Sequence, residues 1–262
     1  MGADGYHPVR SLIVALEGLE DVVEARRSAE RVVRCPGIEG PANLAWRALD
    51  ALEAEVGRSL PLDVAIDKRI PTQAGLGGGS SDAATVLVAA DALYGLALGD
   101  ERLEAVAGRV GADVAFFVRG GAQWAQGRGE RLRPACPPQF AAVLAKPPVG
   151  LSTAAVYRAF DRLPAPPSAT AGGPPAGIAG LAGWVRNDLW PPALALRPEL
   201  GRTARALSAT GARAVLLCGS GSCLAGLFAD TDAATVAARR LPDGGFRSVV
   251  TPAAGPRGPL PS

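Results

Sequence analysis

The chain has 262 residues, of which 48% are hydrophobic and 20% charged, with a formal net charge of +2. That length fits one large domain or two closely packed halves, and the apolar content allows a substantial core. The balanced, scattered charge excludes a nucleic-acid partner, the spacing of the four cysteines argues against a structural zinc site, and no apolar run reaches the ~18 residues needed to span a bilayer.

The core must be filled mostly by Ala, Val and Leu, because aromatics make up only 5% of the chain. Nothing resembles a signal peptide, so a cytoplasmic location is expected, with no membrane partner. Cys35, Cys136, Cys218 and Cys223 read as buried free thiols. No internal repeat is visible.

In chain order, Met1 to His7 reads as a loop ending in Asp4-Gly5-Tyr6-His7. Val9–Leu16 and Val22–Arg27 read as strands, with a weaker strand at Glu30–Val33. Asn43 to Val56 carries apolar residues at helical spacing and ends at Gly57. Leu62–Asp67 alternates apolar and polar residues, as a half-buried strand does. A glycine-rich turn follows, then a helix over Asp82–Leu93 with Ser80 or Ser81 as its N-cap. A further helix is predicted over Glu101–Val110, then strands at Gly121–Gln126, Arg131–Arg133 and Ala141–Lys146, and a helix at Thr153–Phe160.

Pro164 to Gly180 is rich in proline, glycine and alanine and reads as a mobile loop or insertion. Helices over Leu181–Leu194, with interruptions, and Glu199–Thr210 precede strands at Ala214–Leu217 and Leu224–Phe228. A helix at Ala233–Leu241 and a disordered tail from Pro252 close the chain. Strands and helices mix without strict alternation, which favours α+β over a doubly wound parallel sheet.

The densest chemical signal is Gly75-Leu76-Gly77-Gly78-Gly79-Ser80-Ser81-Asp82. Four glycines in five positions exceed what one tight turn needs. They clear space for a large anion at the start of a helix, where backbone N–H groups and the helix dipole attract phosphate. No Gly-Lys-Ser/Thr follows, so the turn is not a Walker A loop. Ser80 stands where a dinucleotide fingerprint needs glycine.

Asp113, at the lip of an apolar strand, reads equally as a surface helix cap or as a base that accepts a proton from an attacking hydroxyl. Gly219-Ser220-Gly221-Ser222 reads as a plain turn, or as a second glycine-rich wall around the same ligand. Tyr6, His7 and Tyr157 are candidates for holding a planar base, against exposed-turn and half-buried core alternatives.

Taken together, Ile66-Asp67-Lys68-Arg69-Ile70-Pro71 with the glycine run, Asp4-Gly5-Tyr6-His7, Gly111-Ala112-Asp113-Val114 with Phe116-Phe117, and Gly219-Ser220-Gly221-Ser222-Cys223 resemble the GHMP small-molecule kinases. Gly127-Arg128-Gly129-Glu130 fits the same pattern. The triple glycine with two serines is the form of a branch acting on a cytidine diphosphate-linked methylerythritol. That branch phosphorylates the 2-hydroxyl of its substrate in non-mevalonate isoprenoid precursor synthesis.

The resemblance implies a two-part α+β fold. Residues 1–145 would form the ATP-binding part, like domain 2 of ribosomal protein S5, and residues 146–262 a ferredoxin-like α/β part. It implies that Pro71, Thr72, Gln73, Ala74, Gly75, Leu76, Gly77, Gly78, Gly79, Ser80 and Ser81 wrap the ATP phosphates, and that Asp113 is the base. Tyr6, His7, Tyr157, Gly219, Ser220 and Gly221 would bind the substrate. Mg²⁺ is expected with ATP, held largely by phosphate oxygens and water. A monomer or homodimer with a small-molecule substrate is implied.

Two features depart from the family pattern. The family opens with a strand carrying Pro-Ala-Lys-x-Asn well ahead of Asp-Gly-Tyr-His, and this chain begins three residues before that motif. The lysine of that strand partners the catalytic aspartate. One reading is a polypeptide that starts upstream, favoured because the other motifs are intact and an exposed sheet edge is a liability. The other is a short form impaired in catalysis, a nucleotide or metabolite binder. Lys68, before the glycine run, has no sequence-based reason to stand in at Asp113. Finally, Ala115 replaces a proline after Gly-Ala-Asp-Val, a change of loop stiffness. A kinase for homoserine, mevalonate or a sugar is the rival within the family, disfavoured by the triple glycine and Asp-Gly-Tyr-His.

Overall fold

A computed structural model of the chain describes residues 7–164, 166, 172–253 and 255. Asp4, Gly5 and Tyr6 lie outside the described residues, as does part of the Pro164–Gly180 stretch.

The first half is built around the sheet β3–β5–β4, from β3 (Val22–Arg27), β4 (Val32–Arg34) and β5 (Leu62–Asp67). β5 runs antiparallel to β3 and parallel to β4. It is buried along both faces rather than half-buried, because the polar Asp63 is neutralised. Its carboxylate takes Arg26 at 2.6 Å and also Arg34.

Helices α1 (Leu44–Val56) and α2 (Gly78–Tyr94) join β5 and β4 in one core, with Leu49, Leu52, Leu62, Val64 and Leu87 fully buried. Asn43 caps α1: its Oδ1 accepts from the Ala45 N–H at 2.9 Å and its Nδ2 donates to the Ile38 carbonyl at 2.9 Å. Such a cap contributes about 1 kcal/mol. Gly57, at φ 70°, ends the helix in the left-handed region that glycine favours.

The structure corrects two expectations here. α2 starts at Gly78 with Gly77 as its N-cap at φ 70°, so Ser80 and Ser81 lie inside its first turn and cap nothing. Asp113 sits on a helix, α4 (Ala112–Arg119), not at the lip of a strand. α3 (Asp100–Val110) ends at Gly111, and α4 begins one residue later.

β1 (Val9–Val14), β6 (Ala122–Gly127) and β7 (Arg131–Pro134) form an antiparallel sheet in the order β1–β6–β7. The second half centres on a five-stranded antiparallel sheet in the order β2–β11–β8–β10–β9. Its strands are β2 (Leu16–Glu17), β8 (Ala141–Lys146), β9 (Ala214–Leu217), β10 (Leu224–Phe228) and β11 (Phe246–Pro252).

β11 occupies residues between the helix expected to end at Leu241 and the tail expected from Pro252, a stretch to which the sequence assigned no element, and it runs beside β8 along the register Phe246↔Lys146 to Val250↔Ala142. Because β8 lies in the middle of this sheet, residues 141–145 belong with the second half, whereas β2 reaches it from the first. α5 (Thr153–Phe160), α7 (Trp190–Leu196), α8 (Glu199–Ala209) and α9 (Thr231–Arg240) contribute to the core of the second half. The helix expected over 181–194 is two helices, α6 (Ile178–Trp184) and α7, parted by 185–189. Of the four thiols, Cys35 and Cys223 are buried, Cys218 is half-buried and Cys136 is exposed.

Candidate active site

The glycine run leaves β5 as a loop over residues 71–77 and enters α2 at Gly78. Gly75 and Gly77 take φ of 75° and 70°, and Gln73 takes 52°, so the loop needs left-handed backbone at three positions. The first hydrogen bond inside α2 runs from the Ser81 N–H to the Gly77 carbonyl at 2.9 Å. The N–H groups of Gly78, Gly79 and Ser80 therefore have no acceptor within the helix. They stand at the positive end of a 17-residue helix, an arrangement suited to phosphate.

The loop is docked on both sides. A methyl group placed on Gly77 would lie 2.8 Å from the Phe117 ring, so the loop packs on α4 one turn beyond Asp113. On the other side it meets the β9–β10 turn backbone to backbone. A methyl group on Gly75 would lie 2.0 Å from the Cys218 carbonyl oxygen, and the Ser222 and Cys223 N–H groups donate to the Gln73 and Ala74 carbonyls at 3.1 and 3.0 Å. Ala74, 2% exposed, is part of the second half's core.

The Gly219–Gly221 turn is therefore a clamp on the glycine loop, and its polar groups have partners within the protein. Ser220 Oγ lies 2.8 Å from Thr153 Oγ1, the Gly219 carbonyl accepts from Asn187 Nδ2 at 2.7 Å, and the Gly221 N–H donates to the Cys218 carbonyl at 2.8 Å.

Thr153 opens α5, and one turn along that helix is Tyr157. Its hydroxyl is shifted to higher pKa by burial and, secondarily, by the negative charge of Asp113. The circuit is thus closed: glycine loop, α4 with Asp113, Tyr157 on α5, Thr153, the Gly219 turn, and back to Gly75. Asp113 is solvent-exposed in the first turn of α4, with enough protein around it to desolvate its carboxyl in part. Burial pushes its carboxyl above the usual carboxylate range, and among the described residues no hydrogen bond or ion pair engages it. A carboxylate held this way is a stronger base than a free one.

His7 stacks on Tyr157, with ring centroids 5.4 Å apart and planes at 22°, and its Nε2 lies 2.8 Å from Asp161 Oδ1. The described residues thus bring together the glycine loop, Asp113, His7, Tyr157 and the Gly219 turn.

Lys68 does not join them. Its ammonium donates to Asp21 and, at 2.8 Å, to Asp82 Oδ2. Sequence reasoning missed this cluster, as it missed Thr153, Asn187 and Asp161 as site residues; Phe117 stood in a motif but was given no role. Asp82 lay within the motif, whereas Asp21 is 47 positions from Lys68 and carries no local signal. A cavity of about 820 Å³ lined by Phe160, Trp190, Leu217 and Leu224 includes none of the predicted site residues.

Comparison with known proteins follows the same division. The GHMP kinases N-terminal domain matches residues 43–121 and the GHMP kinases C-terminal domain matches 180–246. The chain is 40% identical to the 4-diphosphocytidyl-2-C-methyl-D-erythritol kinase of Rhodococcus jostii, with 97% of this chain and 86% of that protein aligned. It is 39% identical to the same-named kinase of Parvibaculum lavamentivorans over 90% of this chain and 86% of that protein.

A crystal structure of 4-(cytidine 5'-diphospho)-2C-methyl-D-erythritol kinase superimposes with a TM-score of 0.78 at 35% identity, covering 95% of this chain and 92% of that one. Homoserine kinase from Cytophaga hutchinsonii, at 19% identity and a TM-score of 0.74, shares the fold. A two-part α+β fold, a docked glycine loop and this degree of identity along nearly the whole chain lead to one conclusion: the protein is an ATP-dependent small-molecule kinase that belongs to the 4-diphosphocytidyl-2-C-methyl-D-erythritol kinase family of the GHMP kinases.

Proposed function

We propose that this chain transfers the γ-phosphoryl group of ATP to the 2-hydroxyl of 4-diphosphocytidyl-2-C-methyl-D-erythritol, a step of non-mevalonate isoprenoid precursor synthesis. The substrate is the one named for its relatives. The observation that carries the reading is Asp113: a carboxyl raised by burial, free of internal partners, and close enough to Tyr157 for its charge to be felt there.

In this reading the ATP phosphates lie along Pro71–Ser81, against the free N–H groups of Gly78, Gly79 and Ser80. Asp113 accepts the proton of the substrate hydroxyl as its oxygen bonds to the γ-phosphorus, and ADP leaves with the bridging electron pair. Such a reaction needs positioning and charge stabilisation more than covalent help from the protein. Tyr157 stacks on the cytosine, with His7 and Tyr6 beside it. Gly219, Ser220 and Gly221 hold the loop against the substrate side.

Mg²⁺ would ride on phosphate oxygens and water. Among the described residues no three His, Cys, Asp or Glu side chains gather as a metal cage, and a phosphate-borne Mg²⁺ needs none. The ion would neutralise charge on the transferred group. A cytoplasmic monomer or homodimer completes the reading. Among the described residues no helix is long and apolar enough to cross a membrane.

The test is ADP release by the purified 262-residue chain with ATP, Mg²⁺ and the cytidyl substrate, beside Asp113→Asn. Release that requires the cytidyl substrate and disappears in the variant is the expected result. Turnover with homoserine or mevalonate but not with the cytidyl compound would overturn it.

A further inference from the structure

A buried charged cluster spans the two ends of the phosphate loop. Asp21, whose side chain is 2% exposed, sits just ahead of β3. Its Oδ1 accepts from the backbone N–H groups of Arg69 and Ile70 at 2.6 and 2.8 Å, and its Oδ2 from Lys68. Lys68 also reaches Asp82 Oδ2 at 2.8 Å, and Asp82, 4% exposed, lies in the first turns of α2. The loop of residues 71–77 runs between these anchors. The start of α2 is pressed onto them: a methyl group on Gly78 would meet Ile70 Cγ2 at 2.9 Å and Lys68 Nζ at 3.2 Å.

Two buried carboxylates face one ammonium. Asp82 Oδ1 has no hydrogen-bond partner, and the neighbouring Cys35 is kept a neutral thiol by burial. For stability alone, one carboxylate would balance Lys68, and a second buried charge is unfavourable. What the second carboxylate adds is geometric. Asp21 holds the chain entering the loop, Asp82 the helix leaving it, and Lys68 joins them. The free N–H groups of Gly78–Ser80 are thereby set relative to β5. A phosphate site works only if such donors are fixed in advance, since ordering a loop on binding consumes affinity.

We propose that Asp21, Lys68 and Asp82 act as one unit of positioning residues for ATP, pre-forming the phosphate loop by tying both of its ends together. The three residues touch no ATP in this role; they act through the loop.

Removing either carboxylate leaves a balanced ion pair, so Asp21→Ala and Asp82→Ala both retain a neutral cluster and are suitable probes. ATP affinity is measured by calorimetric titration, which needs no alcohol substrate. Each single variant is expected to weaken ATP about tenfold. The double variant is expected to be no weaker than about twentyfold, because cutting either tether already frees the loop. Asp82→Asn, whose amide oxygen can still accept from Lys68, is expected to recover most of the loss.

Amide exchange adds a second readout. In Asp82→Ala, exchange should rise across residues 71–80 and stay unchanged in β3 and β5. A folded Asp82→Ala with wild-type ATP affinity overturns the proposal. So does strict additivity of the two single losses, or an Asp82→Asn no better than Asp82→Ala. If Asp21→Ala does not fold, Asp82→Ala, Asp82→Asn and the exchange pattern decide alone.

Discussion

Gly75 of the glycine loop and Cys218 just after β9 touch backbone to backbone, so closely that a methyl group on Gly75 would stand 2.0 Å from the Cys218 carbonyl oxygen. The glycine loop of one half is thus built partly on a strand end of the other, with Ala74 in the second half's core. The two halves are joined at this point because the loop belongs structurally to both.

That contact makes Gly75→Ala a severe change. The added carbon meets backbone, which cannot swing aside, and φ of 75° is strained for alanine. A loss of about 2–4 kcal/mol in stability is expected, read by denaturant unfolding, with ATP affinity reduced in parallel. Gly108→Ala is the opposing control. It lies exposed in the interior of α3 with open space around it, so it should stabilise by about 0.5–1 kcal/mol. A Gly75→Ala protein as stable as wild type would refute the docked-loop account.

Asp113→Asn should lower kcat by about 10²–10⁴-fold, the range for losing a general base, while ATP still binds in a titration. The base must be ionised, so kcat/KM should fall on acidification. Burial raises the Asp113 pKa, so the fall should be centred above the ordinary carboxylate range. An Asn variant with wild-type kcat would remove Asp113 from the chemistry.

Asp82 makes stability depend on pH. Burial pushes its carboxyl up to about 6, against the opposing pull of Lys68, with Asp21 adding a further upward push. Between the unfolded value of 3.8 and about 6 the native state binds the extra proton, so stability falls as pH rises through this window. Asp82→Asn lacks this term. Its stability relative to wild type should therefore grow by about 2–3 kcal/mol between pH 4 and pH 8. Asp21, lowered below its usual value by Lys68 and two N–H groups despite its burial, titrates below the window and leaves the sign unchanged. Thermal melts of both proteins across pH should diverge upward; parallel curves would contradict the burial of Asp82.

Tyr157 offers a ring rather than a proton. Tyr157→Phe should leave the KM for the cytidyl substrate within about threefold, whereas Tyr157→Ala should raise it about tenfold or more, the worth of one lost aromatic stack. ATP affinity should not move in either. Equal effects of Phe and Ala would shift the role from the ring to the hydroxyl.

Short-range patterns in the sequence determined much of this protein. Apolar spacing placed α1 and β5 within a residue, Gly57 marked a helix end, and the glycine run located a left-handed loop ahead of α2. All of these depend on neighbours a few positions apart, where backbone sterics and capping act. The same locality misled at Ser80 and Ser81, good cap residues that the left-handed Gly77 pre-empts. It misled at Asp113 too, because a short apolar run does not tell strand from helix.

Only the tertiary structure decided what those pieces do together. Lys68 was visible, but its partner Asp21 lies 47 positions away and is selected by packing against β5. Asp63 looked like the solvent side of a half-buried strand until Arg26 and Arg34 came to cover it. The second glycine-serine turn read either as a plain turn or as a second wall around the same ligand. Folding instead presses it onto the first loop, since the backbone groups of residues 73 and 74 need partners and the β9–β10 turn supplies them. Sequence could name candidate residues; the demand that buried charges and backbone groups be paired chose their neighbours.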